Sequence, residues 1–489
     1  MEPMNLLFLC ADEQRADTMA AYGNRRIHTP NLNRLAERST VFERAYVTQP
    51  VCTPSRSSIL TGSWPHANGC TQNNVPLPAE TPCLPEFLPA GRYATGYYGK
   101  WHLGDEIRPQ HGFDDWRSIE DQYRAYYSDR CRRDDRSDYH RFLVDSGLSP
   151  ADGQAFTRAE AARLDEPLSK PAFLAREASR FLRRHRERPF VLFVSFLEPH
   201  MPFFGPRDNQ YDPSDVPLPG SFDCPPTPGQ HPKASLFHRH YRREICGQGT
   251  PGDSTAWRKL IARYWGLCSE VDTHVGTILA ALAETGLDDR TLVVYTSDHG
   301  DMMGSHQLVG KCLMFEQAVR VPLLVRLPGQ RSGRRLAAPV SQIDLLATLL
   351  DLLGHDVPDN QQGRSLRDLL DGDARADDVF IEWNGPNCGL PADVAGRVEL
   401  PEHLAGCCTP AGAAEAIRDP VRTIVTPDGW KFACSPMGAH ELYHLGDDPL
   451  EITNLARRTQ HRALLKELTG RIRRWQQRTG DDVELPTSF

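Results

Sequence analysis

Short apolar runs that alternate with helical repeats constrain the fold of this 489-residue chain more than any other feature. Each run is too short for a typical helix and has the composition of a buried strand. Buried strands that alternate with amphipathic helices predict an α/β fold, in which helices cover both faces of a sheet. The predicted strands are NLLFLCA (5–11), YATGYYG (93–99), FVLFVSF (190–196), TLVVYTS (291–297) and VPLLVRL (321–327).

Two helices are predicted between these strands because apolar residues recur at steps of three and four. The first runs from Pro171 to Arg186 and the second from Thr255 to about Gly286. The segments 103–170 and 205–254 interrupt the pattern with charged, proline-rich and glycine-rich sequence. We therefore expect them to form insertions over one end of the sheet.

The length of the chain exceeds that of a single typical core and predicts two domains. The pattern changes near residue 375, where strand-like pieces such as DVFIEW, RTIVT and WKFAC precede a helix from about His461 to Arg478. The prediction is a larger α/β domain over 1–374 and a smaller α+β domain over 375–489, with a small antiparallel sheet and a terminal helix.

Composition excludes several classes of partner. The 56 basic residues are outnumbered by 64 acidic ones, which gives a net charge of −8 without a basic stripe for nucleic acid. No window approaches the roughly 18 apolar residues of a membrane span. The N-terminus lacks the basic region of a signal peptide, so the chain as written is predicted to be cytoplasmic, with a removed leader as the open alternative. Thirteen irregularly spaced cysteines predict mostly reduced thiols.

Acidic residues, a lysine and histidines follow the predicted strands. In open α/β sheets ligands bind beyond the carboxyl ends of the strands, so these residues are expected to converge. Carboxylates with an imidazole favour a hard divalent cation such as Ca²⁺, Mg²⁺ or Mn²⁺ over zinc. A lysine and further histidines predict an anionic substrate and proton transfer. The residues are Asp12, Glu13, Lys100, His102, Glu198, His200, Asp298 and His299.

The stretch VCTPSRSSILTG (51–62) predicts a helix whose N-terminus carries a cysteine. Pro54 fits the first turn with Thr53 as the cap, which leaves Cys52 at an exposed junction between strand and helix. There an anion would meet free backbone N–H groups and the Arg56 guanidinium. A cysteine nucleophile of the tyrosine-phosphatase kind is excluded because it needs an arginine where this chain has Ser58.

The same stretch resembles the type I sulfatase signature C-x-P-S-R-x-x-x-L-T-G at every specified position. The chain is thereby similar to the type I sulfatases of the alkaline-phosphatase-like superfamily. That resemblance implies a large mixed sheet flanked by helices, a smaller C-terminal α+β domain, and hydrolysis of organic sulfate esters. Further segments that resemble the family are GKWHLG (99–104), EPHMP (198–202), SDHGDMMGSH (297–306) and ELYHLGDDPLEITNLA (441–456).

The resemblance also implies a modified nucleophile. A maturation enzyme would oxidise Cys52 to formylglycine, whose hydrated aldehyde attacks sulfur and later releases sulfate by collapse of the hemiacetal. Arg56 would support the diol, while Lys100 and Lys311 would neutralise the sulfate oxygens. His102 would take the proton on the aldehyde side, and His200 would give one to the leaving oxygen.

The implied cofactor is one divalent cation. Its ligands would be Asp12, Glu13, Asp298 and His299, together with modified residue 52. Calcium is the first expectation, with manganese and magnesium open. Glu13 stands where the family often has aspartate and His299 where it often has asparagine, and Glu13 could instead cap a helix or pair with Arg15.

Two other functions stay open from the sequence. A phosphonate monoester or phosphodiester hydrolase could use the same site, and a non-catalytic metal-bound scaffold would result if Cys52 stays a thiol. The expected substrate is a sulfated carbohydrate, with aryl sulfates as probes, and part of its pocket is assigned to the two insertions. The expected protein partner is the maturation enzyme, with no nucleic acid or membrane partner and the oligomeric state open.

Several conspicuous side chains are predicted to be structural rather than functional. Asn73 and Asn74 have the residue type of turns. His306 is expected to support the site, and Tyr264 and Trp265 lie in a helical stripe that is typical of a core.

Overall fold

The computed structural model describes residues 3–132, 134–246, 254–372, 376–385, 400, 404, 406 and 408–488, without the side chains of 244–246. A large mixed sheet of nine strands confirms the predicted α/β class. Its strands are β1 (Asn5–Asp12), β2 (Thr40–Tyr46), β3 (Ala94–Gly99), β4 (Asp115–Arg117), β5 (Phe190–Pro199), β6 (Thr291–Ser297), β7 (Arg320–Val321), β8 (Leu323–Arg326) and β9 (Arg334–Ser341).

The strand order is β4-β3-β5-β1-β6-β8-β2-β7, and β9 pairs with β2. Strands β4, β3, β5, β1 and β6 run parallel, so their carboxyl ends meet at one edge. Strand β8 is antiparallel to both of its neighbours. The predicted strand over 321–327 is two strands, β7 and β8, that flank Pro322, which has no N–H to donate to a ladder.

Helices cover both faces of this sheet, as the alternation of the sequence predicts. Alternate residues of β1 point to opposite faces, so that Leu6 and Phe8 pack in one core and Leu7 and Leu9 in another. The helices are α1 (Pro30–Ala36), α2 (Cys52–Thr61), α3 (Pro65–Asn68), α4 (Asp138–Asp145), α5 (Arg158–Ala161), α6 (Lys170–Arg184), α7 (Pro232–Cys246), α8 (Ser254–Glu284), α9 (Glu316–Val319), α10 (Asp344–Leu352), α11 (Arg367–Asp371), α12 (Pro410–Arg418) and α13 (Arg462–Thr479).

The first core contains residues of α2 and α10, and the second contains residues of α1, α6 and α8. The two long predicted helices are thus α6 and α8, each with an apolar stripe against the sheet. Across the parts of the chain that the structure describes, no helix combines the length and apolarity needed to cross a membrane.

The C-terminal part contains the predicted small antiparallel sheet and terminal helix. Helix α13 packs its apolar face on this sheet. Trp64 and Ile343 of the preceding part join the same cluster. The predicted domain boundary at 374/375 lies outside the described residues, and the division into two domains stays a prediction. The strands are β10 (Val379–Glu382), β11 (Arg422–Val425), β12 (Trp430–Cys434) and β13 (Glu441–His444).

The segment 103–170 is more than an insertion over the sheet. Its strand β4 pairs in parallel with β3 and forms one end of the strand order, so the prediction is wrong for this strand. Three residues are too few for the periodic signal on which a strand prediction depends. In the segment 205–254, helix α7 contacts α8, while residues 247–253 lie outside the described ranges.

Candidate active site

Helix α2 places Cys52 at the carboxyl edge of the parallel strands. Cys52 is the first helical residue, and Val51 before it is extended. The predicted cap at Thr53 is wrong, since the helix begins one residue earlier and the Thr53 hydroxyl lies inside its first turn, where it donates to the backbone oxygen of His102 at 2.7 Å. The expected exposure of Cys52 is also wrong, because the side chain is only 1% exposed. The surrounding strand ends and loops cover the junction, which the local pattern of α2 does not reveal.

Cations crowd the thiol of Cys52. Its Sγ lies 3.2 Å from His299 Nε2, 3.4 Å from Lys311 Nζ and 3.5 Å from Lys100 Nζ. Asp12 Oδ1 is slightly farther away, at 3.8 Å. Burial and Asp12 act to raise the pKa of Cys52, but the two lysines and His299 together lower it below its ordinary value. The position therefore favours a negatively charged or electron-rich group.

Arg56 holds two buried aspartates on the other side of Cys52. Its Nη2 lies 2.8 Å from Asp12 Oδ2 and its Nε 2.9 Å from Asp298 Oδ2. Lys100 Nζ approaches Asp12 Oδ2 to 2.5 Å. Burial raises the pKa of Asp12, but Lys100 and Arg56 outweigh it and hold that pKa well below its usual range. Asp12 is thus ionised although neither aspartate is exposed to solvent.

Glu13 follows β1 with a positive φ of 69° and turns its carboxylate into the same cluster. Its Oε2 lies 2.9 Å from Lys311 Nζ and 3.4 Å from His200 Nε2. Its Oε1 is buried and has no hydrogen-bond partner within the described ranges. Arg15, the alternative partner, pairs with Asp17 instead. An orphaned buried carboxylate oxygen is expected where a cation completes the site.

The donor set fits a divalent cation. Ligand atoms of Asp12, Cys52, Asp298 and His299 all lie within 4.8 Å of one another. His299 Nδ1 pairs with the Gly300 oxygen at 2.9 Å, which leaves Nε2 for the site. Burial lowers the pKa of His299, yet the Asp298 carboxylate and other groups raise it to about 9. If modified residue 52 offers an oxygen in place of Sγ and Glu13 is the fifth ligand, four of the five donor groups would be oxygens, which calcium and magnesium prefer.

The loop after β3 holds His102 against the site. The Glu106 carboxylate accepts the backbone N–H groups of Trp101, at 3.0 Å, and of His102. The imidazole contacts Asn74 Oδ1 through Nε2 at 2.9 Å and stacks on the Tyr123 ring at 4.0 Å. Its Nδ1 is buried and lacks a partner among the described residues. Burial and nearby cations lower the pKa of His102 well below its ordinary value, so it can accept a proton at neutral pH.

His200 occupies the end of β5. Its Nδ1 pairs with the Met201 oxygen at 2.8 Å, so Nε2 faces Glu13. Burial, Lys311 and Lys100 lower the pKa of His200 well below its ordinary value. All ten predicted site residues thus lie at one edge of the sheet, with His102 turned toward Asn74 and Tyr123.

Three residues around His102 were not predicted to contribute to the site. Asn74 has the residue type of a turn, but its Oδ1 contacts the imidazole. The role of Glu106 could have been predicted from the sequence, because a carboxylate four positions after His102 can reach the backbone N–H groups of the preceding loop. Tyr123 gives no signal, since it lies in a segment without periodicity.

The other residues predicted to be structural make contacts that stabilise loops and the core. Asn73 accepts the Thr53 N–H at 3.0 Å, and both nitrogens of His306 contact backbone carbonyl groups. Tyr264 and Trp265 are buried. Tyr264 also donates its hydroxyl to the backbone carbonyl oxygen of Glu13 at 2.7 Å, which helps to fix the turn after β1.

Comparison with known proteins adds to this geometry. The Sulfatase family model matches residues 4–355. The chain is 28% identical over 394 residues to an ulvan-active sulfatase of Formosa agariphila, covering 78% of this chain and 68% of that protein. It is 28% identical over 503 residues to an arylsulfatase of Clostridium perfringens, covering 96% and 95% respectively.

A solved structure is similar over nearly the whole chain. It is the phosphonate monoester hydrolase SpPMH from Silicibacter pomeroyi, with a TM-score of 0.75 and 25% identity. The match covers 97% of this chain and 96% of that chain.

Proposed function

Because the chain belongs to the sulfatase family and is a hydrolase of sulfate esters, we propose that it acts on sulfated carbohydrates through a formylglycine made from Cys52. The observation that carries this proposal is the position of Cys52 Sγ, within 3.5 Å of Lys100, Lys311 and His299. A tetrahedral anion at this position would meet positive charge on several sides.

The proposed nucleophile forms when a maturation enzyme oxidises Cys52 to an aldehyde, which water hydrates to a diol. One hydroxyl attacks sulfur and passes its proton to Nε2 of His200, and the bond from sulfur to the alcohol oxygen breaks. His200, which is neutral before this step because its pKa is lowered, then gives that proton to the alcohol. The other hydroxyl then loses a proton to His102, the hemiacetal collapses, and sulfate leaves without a second attack at sulfur.

The remaining side chains keep the site charged and ordered. Lys100 and Lys311 would neutralise the sulfate oxygens. Arg56, through its ion pairs with Asp12 and Asp298, would hold these two carboxylates in position beside the diol. His102 is supported by its contacts with Asn74 and Tyr123.

A divalent cation, with calcium as the first choice and manganese or magnesium next, would supply Lewis-acid polarisation of the diol and the sulfate. Asp12, Glu13, Asp298 and His299 would hold it together with modified residue 52. The unpartnered Oε1 of Glu13 and the clustered ligand atoms support this assignment.

A carbohydrate substrate is supported by one relative, whose name describes activity on ulvan. A phosphonate monoester is the second candidate, because the similarity to a phosphonate monoester hydrolase extends over 97% of this chain. Tetrahedral phosphorus would meet the same cations at Cys52.

The test is hydrolysis by protein coexpressed with a maturation enzyme. We expect sulfate release from sulfated sugars and from 4-nitrophenyl sulfate, with slower turnover of phenyl phosphonate esters. Faster phosphonate turnover would assign the second candidate. Mass analysis of the peptide that contains residue 52 completes the test, because an unmodified thiol in active protein would contradict the proposed nucleophile.

A further inference from the structure

Arg158, the first residue of α5, connects the surroundings of both histidines of the site. Its Nη2 donates to the Tyr123 hydroxyl at 2.6 Å, and the Tyr123 ring stacks on His102. Arg158 and His200 also line one narrow cavity. The guanidinium therefore lies on the side of the site where, in the proposed reaction, protons pass to and from the oxygens.

The charge of Arg158 is only partly balanced. Its Nε and Nη2 contact Glu120 Oε2 at 2.8 and 2.7 Å, but Glu120 also pairs with Lys170. Burial acts to raise the pKa of Glu120, and the two cations lower it to about 2. Two permanent cations thus share one carboxylate. Glu198 lines the same cavity, but burial raises its pKa to about 7, so it is partly protonated at neutral pH.

One edge of the guanidinium remains available. Nη1 of Arg158 makes no hydrogen bond to any residue that the structure describes, and the side chain is 19% exposed. The bonds to Glu120 and Tyr123 fix the plane of the guanidinium, so Arg158 loses little further conformational entropy when a ligand binds. A fixed guanidinium with free N–H groups is suited to a carboxylate or sulfate group.

We propose that Arg158 binds a second anionic oxygen group on the alcohol part of the substrate, so that preferred esters carry a carboxylate or another sulfate beside the hydrolysed sulfate. This inference rests on the proposed sulfatase function. The scissile sulfate already has Lys100 and Lys311 at Cys52, whereas Arg158 contacts Glu120 and Tyr123. Tyr123 acts as a positioning residue, since its hydroxyl holds Nη2 together with Glu120.

The experiment compares matched aryl esters that differ in one charge. Mature enzyme is assayed by sulfate release from ortho-, meta- and para-carboxyphenyl sulfate, and from the carbamoylphenyl sulfates of the same three geometries. The measured quantity is the ratio of kcat/KM for carboxylate over amide. We expect a ratio of about tenfold or more at one geometry, as a charge-assisted hydrogen bond provides.

Variants assign that ratio to Arg158. Arg158→Gln is expected to bring it close to one, and Arg158→Lys to keep part of it, because lysine retains the charge without the planar fork. Arg141→Gln is the matched control, since Arg141 is 62% exposed on α4 and its only ion pair within the described ranges is with Asp138. That control should leave the ratio unchanged. Circular dichroism and a thermal melt establish that each variant is folded.

Tyr123→Phe keeps the ring on His102 but removes the hydroxyl that holds Arg158, so its ratio should fall between those of the wild type and Arg158→Gln. If Arg158→Gln does not fold, the ratio measured for Tyr123→Phe tests the inference in its place. A wild-type ratio near one at all three geometries would overturn the inference, and so would a ratio that both variants retain. Failure of every ester, amides included, would refute the proposed sulfatase function as well.

Discussion

Replacement of Arg56 by methionine tests whether the guanidinium is the main counter-charge of the buried site. Arg56 is 3% exposed, and it also donates Nη1 to the Lys100 oxygen at 2.8 Å and to Ser195 Oγ at 2.6 Å. Methionine fills much of the same volume without charge. Asp12 would keep Lys100 at 2.5 Å, whereas Asp298 would keep backbone N–H groups, including that of Glu13 at 3.0 Å.

The expected loss of unfolding free energy is about 3–5 kcal/mol, because removal of one partner leaves a buried charge uncompensated. More of this cost belongs to Asp298, since Asp12 retains Lys100 at 2.5 Å whereas Asp298 retains the more distant His299, at 3.6 Å. The loss should be largest near neutral pH. Burial raises the pKa of Asp12, and Lys100 and Arg56 depress it below its unfolded value. Such a group stabilises the fold above its unfolded pKa, and its contribution disappears as pH falls through the folded pKa.

The assay is urea unfolding of wild type and Arg56→Met at pH 7 in a chelator, with Arg141→Met as the exposed control. Added calcium should reduce the difference, because a cation near Asp12 and Asp298 replaces part of the missing charge and binds the native state only. Equal stability of wild type and variant in chelator, within about 0.5 kcal/mol, would refute the reasoning, because ordinary surface substitutions usually stay within this range.

Three further changes test other parts of the site. Asp298→Asn should weaken calcium binding by at least about 10–100-fold in a calorimetric titration, and an unchanged affinity would remove Asp298 from the ligand set. Cys52→Ala should abolish sulfate release. Relative to the unmodified protein, in which residue 52 is a thiol, it should lower the unfolding free energy by about 1 kcal/mol in urea, since a buried sulfur is lost; residual turnover would exclude residue 52 as the nucleophile. His102→Gln should flatten the pH dependence of stability. Burial depresses the pKa of His102, so below about pH 6.5 the unfolded chain binds one proton more than the folded chain. In that range the unfolding free energy increases by about 1.4 kcal/mol for each unit by which the pH rises. An unchanged slope would show that His102 is protonated in the folded protein.

The sequence predicts the framework well because strands and long helices leave periodic signals. Strands β1, β3, β5 and β6 and helices α6 and α8 lie where the apolar patterns place them. The site follows from that framework by one further step, since polar residues after parallel strands must meet at one edge. The short strand β4 escapes prediction because three residues carry no period.

What the sequence does not predict is determined by tertiary contacts. The local pattern of α2 leaves Cys52 outside the apolar face, but distant segments bury it, and Lys311 reaches it from more than 250 positions away. Thr53 is not the cap because helix α2 begins at Cys52, and the hydroxyl of Thr53 instead joins the loops of His102 and Asn74. Tyr123 and Arg158 come from a segment with no pattern, so their contacts with the site become evident only in the folded chain.

The charges of the site indicate why an anionic substrate suits it. Three carboxylates and three permanent cations balance one another before any ligand is present. A divalent cation, which needs a neutral His299, would leave an excess of two positive charges, and a sulfate monoester offsets one of them. A second anionic group on the alcohol would offset the remaining charge, and Arg158 lies where it can bind such a group. The charge balance thus agrees with the proposed preference for doubly anionic esters, which rests on the free N–H groups of Arg158. The balanced set consists of Asp12, Glu13 and Asp298 with Arg56, Lys100 and Lys311.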